Sequence, residues 1–224
     1  MSTTEEILNA TFKKVGNDFG YETSAEYAAF RDLKVRWQRS YKWADFQVSD
    51  YLRNAPEEVL EGIARTISTK IQGDESNYTD EVVGWLTAPE FVERLQPTYI
   101  QRDRRISFEE GEHKSLEEAL DRLKEKGFIG DLGKTRIFWS NEATSGRGGW
   151  SSALMKVITV NRKLDSDSVP DEVLDAVILN EVANIECDFA MSPVDRRRTV
   201  EDRMKLYPGF DGISEWLEGH GMTA

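Results

Sequence analysis

The segment from Pro170 to Ile185 constrains this chain most. Val173, Leu174, Val177, Ile178, Val182 and Ile185 recur at the spacing of one helical face, so a helix here must bury that face against another layer. Ser168-Val-Pro-Asp171 has the pattern of a capping box with proline near the helix start. Asn180 and Asn184 fall four residues apart, one above the other on a single face, with Glu181 beside them. The layer that receives the helix is also legible. Thr135–Ser140 and Leu154–Val160 read as strands, separated by a polar, glycine-rich loop from Asn141 to Gly149.

Upstream, apolar residues from Ile7 to Phe19 keep a helical rhythm. Leu33–Trp37 and Trp43–Val48 alternate as strands do, and Asn54-Ala-Pro-Glu57 supplies a start for a helix that should stop near Gly73. Tyr78–Leu86 and Pro89–Leu95 read as shorter helices. Gln101–Glu112 reads as a polar turn, and Ser115–Lys126 as an amphipathic helix. Gly127–Lys134, with three glycines, is the best internal boundary. The chain therefore divides into a mostly helical, aromatic part over 1–126, expected to pack on an α+β core over 127–224.

Of the 224 residues 39% are hydrophobic and six are tryptophan, enough for a real core. A net charge of −12 repels phosphate and argues against general nucleic-acid binding. Cys187 is the only cysteine, which rules out an intrachain disulfide and a cysteine-rich metal site; it reads as a small apolar residue. Met1–Glu6 lacks the basic and apolar character of a signal peptide, and no apolar run reaches membrane-spanning length, so a cytoplasmic protein is expected.

Two imidazoles a turn apart with an adjacent glutamate is the H-E-x-x-H arrangement, in which the histidines hold zinc and the glutamate deprotonates its water. Here the string is Asn180-Glu-Val-Ala-Asn184. Its context is more specific: Trp139-Ser140, the glycine-rich loop, Val157-Ile-Thr-Val-Asn161, Pro170-Asp-Glu-Val-Leu-Asp175, then Tyr207-Pro-Gly-Phe210 and Trp216-Leu217. From Thr135 to Leu217 this order resembles the SprT-like zincin metallopeptidases and the predicted metal-dependent hydrolases related to them. The resemblance implies a zincin-like core, a small mixed sheet plus the active-site helix, with zinc as the family's metal. It puts Asn180 and Asn184 at the two histidine positions and Glu181 at the general base. It also lets Trp139, Arg147 and Trp150 line the peptide cleft.

The departures decide the functional expectation. Ala190 stands where one subgroup has its third ligand, and Arg196–Arg198 occupy the other region that could supply it. The only histidines are His113 and His220. Amide oxygens are poor zinc ligands. The expectation is a pseudoenzyme without cofactor, with Glu181 vestigial and the two asparagines hydrogen-bonded in place of a metal. Such a scaffold would bind an unknown protein or peptide. The alternative is an active zinc hydrolase with non-standard ligands. A hard cation held by Asn180, Glu181, Asn184 and Asp188 is a further possibility. Arg102, Arg104 and Arg105, like Arg196–Arg198, read as partners of local carboxylates, and the Trp37–Tyr51 aromatics as core.

Overall fold

The computed structural model describes residues 3–187, 189 and 191–223, and shows an α+β protein. The chain forms two compact units, 1–91 and 92–224.

The first unit opens with α1 (Thr4–Asp18), closed at its start by a reciprocal box between Thr3 and Glu6. Three strands follow: β1 (Glu22–Ala28), β2 (Val35–Arg39) and β3 (Trp43–Ser49), in the order β1-β3-β2 with β1 parallel and β2 antiparallel to β3. Phe12 of α1 packs on Phe46 of β3, ring centroids 5.1 Å apart. Tyr51 belongs to the core as expected, but Trp37, Tyr41 and Trp43 are exposed. β1 was not expected, because its inward positions are only Thr23 and Ala25, too small to mark a hydrophobic alternation. The unit is completed by α2 (Glu57–Gln72), which ends at Gly73, and α3 (Asp80–Thr87).

The division between the units falls within α4 (Pro89–Arg102), which runs past the expected end at Leu95 and through Pro97. An interior proline costs about 3 kcal/mol of helix. Here the turns around it are anchored: Tyr99 and Ile100 are buried, and the Gln96 amide donates to the carbonyls of Lys134, Met155 and Lys156 at 2.9, 2.8 and 3.1 Å.

The second unit continues with β4 (Ile106–Ser107), α5 (Leu116–Glu125), β5 (Arg136–Ser140), β6 (Gly146–Arg147), β7 (Gly149–Ser152) and β8 (Val157–Val160). Then come α6 (Asp171–Glu186), α7 (Pro193–Met204), α8 (Phe210–Gly219) and β9 (Met222–Thr223). The main sheet has the order β4-β5-β8-β7, mixed in direction: β5 and β8 are parallel, and both outer strands antiparallel to their neighbours. β6 and β9 make a separate parallel pair. Gly127–Lys134 lies inside this unit, with Ile129 buried and Phe128 and Leu132 packed on the core.

α6 is the centre of the second unit. It packs on α5, α7, α8, β7 and β8, so Ala176, Leu179 and Ala183 are buried along with the expected face. Each large aliphatic side chain so enclosed contributes about 1.5–3 kcal/mol. The expected side-chain caps of α2 and α6 do not form. Pro56 and Pro170 occupy the cap positions themselves, and the Ser168 backbone and hydroxyl turn to the Ser166 hydroxyl instead. Acids in the first turns, Glu57 and Glu58 in α2 and Asp171 and Glu172 in α6, still face the positive helix end.

Candidate functional site

Strand alternation decides what meets α6. Gly149, Trp150 and Ser151 of β7 stand opposite Val160, Thr159 and Ile158 of β8. Gly149 and Ser151 therefore share one face, and Trp150 points to the other. The first face lies on α6. A Cβ built on Gly149 would stand 2.8 Å from Glu181 Cγ, 3.2 Å from its Oε1 and 3.3 Å from Val177 Cγ1. Only a glycine lets the strand come this close to the helix.

Within that contact the Ser151 hydroxyl donates to Glu181 Oε2 at 2.5 Å, and the Asn180 amide reaches Oε1 at 3.5 Å. Glu181 is 6% exposed. Burial pushes its carboxyl above the usual carboxylate range; the Ser151 and Asn180 hydrogen bonds and the charges of Arg147 and Arg105 pull the other way without cancelling it. The site thus holds a desolvated carboxyl biased toward its protonated form.

Asn184 does not reach Glu181. Its amide donates 3.0 Å back to the Asn180 carbonyl, one helical turn earlier. The last carbonyls of α6 take cations: Arg196 donates to Asn184 O and the Lys156 ammonium to Ile185 O, both at 2.9 Å. Burial lowers the Lys156 pKa, an effect opposed by the charge of Glu186. Arg203 pairs with Glu186 beyond.

The expected cleft residues do not form one cluster about Glu181. Arg147 is exposed on β6 and acts on the carboxyl through its charge. Trp150 faces the other side of β7, where the Arg105 guanidinium stands 5.4 Å over its ring while pairing with Asp103 at 2.6 Å. Trp139 is buried in the core on β5. His113 Nδ1 lies 3.1 Å from Asp167, and His220 stacks on Trp216 at 3.8 Å, so neither histidine serves α6. Cys187 is buried at the end of the helix. Asp188 and Ala190 lie outside the described residues.

Ser151 and Asn161 organise the site. Asn161, fully buried, donates to the carbonyls of Thr144 and Arg147, both at 2.8 Å, and accepts from the Thr144 and Lys163 amides at 3.2 and 3.0 Å. It thereby fixes the loop that leads into β7. Asn161 was visible in the sequence as the residue ending a strand, whereas Ser151 had no sequence signal until the pairing of β7 with β8 fixed its face.

Two amide oxygens and one carboxyl already engaged by a hydroxyl do not match the imidazole and thiolate donors that zinc favours. Among the described residues no three His, Cys, Asp or Glu side chains converge as a metal would require. Nor is any described helix long and apolar enough to cross a membrane. No protein-family model, curated protein or solved structure matches the chain.

Proposed function

We propose that this chain is a metallopeptidase-like pseudoenzyme: a zincin-like core of the SprT type, kept as a cytoplasmic scaffold that binds a protein or peptide segment. One observation carries the reading. The groups at the positions of the family's ligands and base are engaged with one another and with β7, Asn184 to the Asn180 carbonyl and Glu181 to the Ser151 hydroxyl. The arrangement of a mixed sheet over α6 supports the core assignment, and β7, the last strand of that sheet, offers an outer edge to which an extended segment could add.

The test is zinc titration of the full chain, read by calorimetry and by metal analysis after dialysis, beside protease assays of the wild type and Glu181→Gln. Neither stoichiometric zinc nor proteolysis is expected. One tightly held zinc per chain, or a proteolytic activity abolished by Glu181→Gln, would overturn the proposal and favour a hydrolase with unusual ligands.

A further inference from the structure

The stretch between β4 and α5 is held firmly despite its polar composition. The Asp165 carboxylate accepts the backbone N–H groups of Glu112, His113 and Lys114 at 2.8, 2.9 and 2.9 Å. The Arg162 guanidinium donates to the carbonyls of Glu109 and Glu110 at 3.1 and 3.3 Å and to the Ser107 hydroxyl at 3.2 Å. Lys114 is bound to Asp171 at 2.5 Å, so the one fixed cation of the stretch is neutralised locally. Glu109, Glu110, Glu112, Glu117 and Glu118 are exposed, and their carboxylates form no ion pair among the described residues.

These glutamates rim a pocket with an apolar wall. Phe108, 72% exposed, meets Phe138 edge to face at 5.8 Å, and half-buried Leu116, Leu120 and Ile137 continue the surface. Trp139 lines the same pocket with only 2% of its surface exposed. Its indole N–H has no hydrogen-bond partner among the described residues, yet it is not sealed from the pocket. Gly111 keeps that nitrogen open, since a Cβ there would stand 2.8 Å from it.

An occupant must meet three requirements: positive charge for the rim, an apolar group for the wall and an acceptor for the indole, because a buried tryptophan N–H seeks one. A polyamine supplies only the first, and an uncharged apolar ligand only the second. We propose that this pocket docks a basic peptide segment of a partner protein. An apolar side chain lies against Phe108, Leu116 and Leu120, lysines or arginines face the glutamates, and a backbone carbonyl accepts from Trp139. The pocket is separate from Glu181, which is not among its lining residues.

The probe is a fluorescein-labelled heptapeptide of alternating lysine and leucine, titrated into the full chain and followed by anisotropy at low and moderate salt. Phe108→Ala should weaken binding about tenfold, as truncation of an aromatic anchor does. The triple change Glu109→Gln, Glu110→Gln, Glu112→Gln should weaken it about tenfold and flatten its salt dependence. The same loss of charge in the first unit, Glu57→Gln, Glu58→Gln, Glu75→Gln, should change neither. Nitrogen-15 spectra should show one tryptophan indole resonance, the one missing from Trp139→Phe, shifting on binding. Equal weakening by both triple changes would overturn the proposal. So would equal affinity for a lysine–serine peptide or spermine, an unmoved Trp139 resonance, or no binding.

Discussion

Gly149→Ala tests whether β7 and α6 touch through Glu181 as described. The added methyl carbon would stand 2.8 Å from Glu181 Cγ and 3.3 Å from Val177 Cγ1. Carbon atoms prefer about 3.5–4.0 Å, so the closer contact is short by roughly 0.7 Å or more. Relief by swinging Glu181 aside would break its 2.5 Å bond with Ser151. Gly149 does not have a positive φ, so alanine brings no backbone strain and the cost is packing alone, about 1–3 kcal/mol. A cycle with Glu181→Ala isolates the contact. That change alone costs about 2 kcal/mol, through the space it leaves and the lost partner of Ser151. In the double variant the methyl occupies vacated space, so the combined loss should fall short of the sum by about 1–2 kcal/mol. Gly148→Ala is the control, since its Cβ would meet Val177 and the Thr223 carbonyl rather than Glu181. The assay is hydrogen exchange of the segment 171–186 at rising urea, which reports on α6. Additivity of Gly149→Ala with Glu181→Ala within about 0.5 kcal/mol would refute the contact.

Glu181→Gln should alter the pH dependence of stability. The raised pKa means that at Glu181 the folded protein keeps a proton the unfolded chain has released, so this residue's contribution to stability falls as pH rises from the unfolded value of 4.5 to the folded one and is level above. Gln cannot ionise, so the variant should gain on the wild type across that window in urea melts; a difference that does not change with pH counts against a desolvated carboxyl. Asp175→Asn should cost about 3 kcal/mol, because Asp175 is fully buried against the Arg122 guanidinium at 2.6 Å; a loss under about 1 kcal/mol in the same melts would show that the pair contributes little. Asn161→Ala strands several loop groups and should cost about 2–4 kcal/mol, with faster amide exchange over 144–148; unchanged exchange there would remove Asn161 as the loop's anchor.

What could be read from the sequence was what periodicity encodes. α6, β5 and β8 carry apolar residues at helical or strand spacing, and each is found close to its expected span. β1 escaped because its inward residues are small. Both proline-containing helix starts were placed too generously, since proline took the cap position and left Asn54 and Ser168 without the expected role. Within the site, Asn180, Glu181 and Asn184 were singled out by their shared helical face together with the family resemblance of the residues around them. Ser151 was not: a short strand after a glycine-rich loop has no fixed parity until its pairing with Val157–Val160 is known, and Trp150, the conspicuous residue, belongs to the opposite face. The Asp165–Arg162 clamp on the stretch after β4 joins residues about fifty positions apart, and no local pattern encodes it.

The two buried acids of α6 show why Glu181 stands out chemically. A helix enclosed on nearly every side must satisfy each polar group from its neighbours. Asp175 does so with the Arg122 guanidinium in direct contact, through charge-assisted hydrogen bonds. Glu181 does so with a hydroxyl and an amide, neither of which carries charge, while the arginines that act on it lie on other elements and not in bonding contact. The first arrangement ties α6 to α5 by an ion pair. The second leaves a carboxyl costly to ionise, and costly carboxyls gather where proteins do chemistry as well as where they have ceased to. The zinc and protease measurements separate those two cases; the fold of α6 serves both.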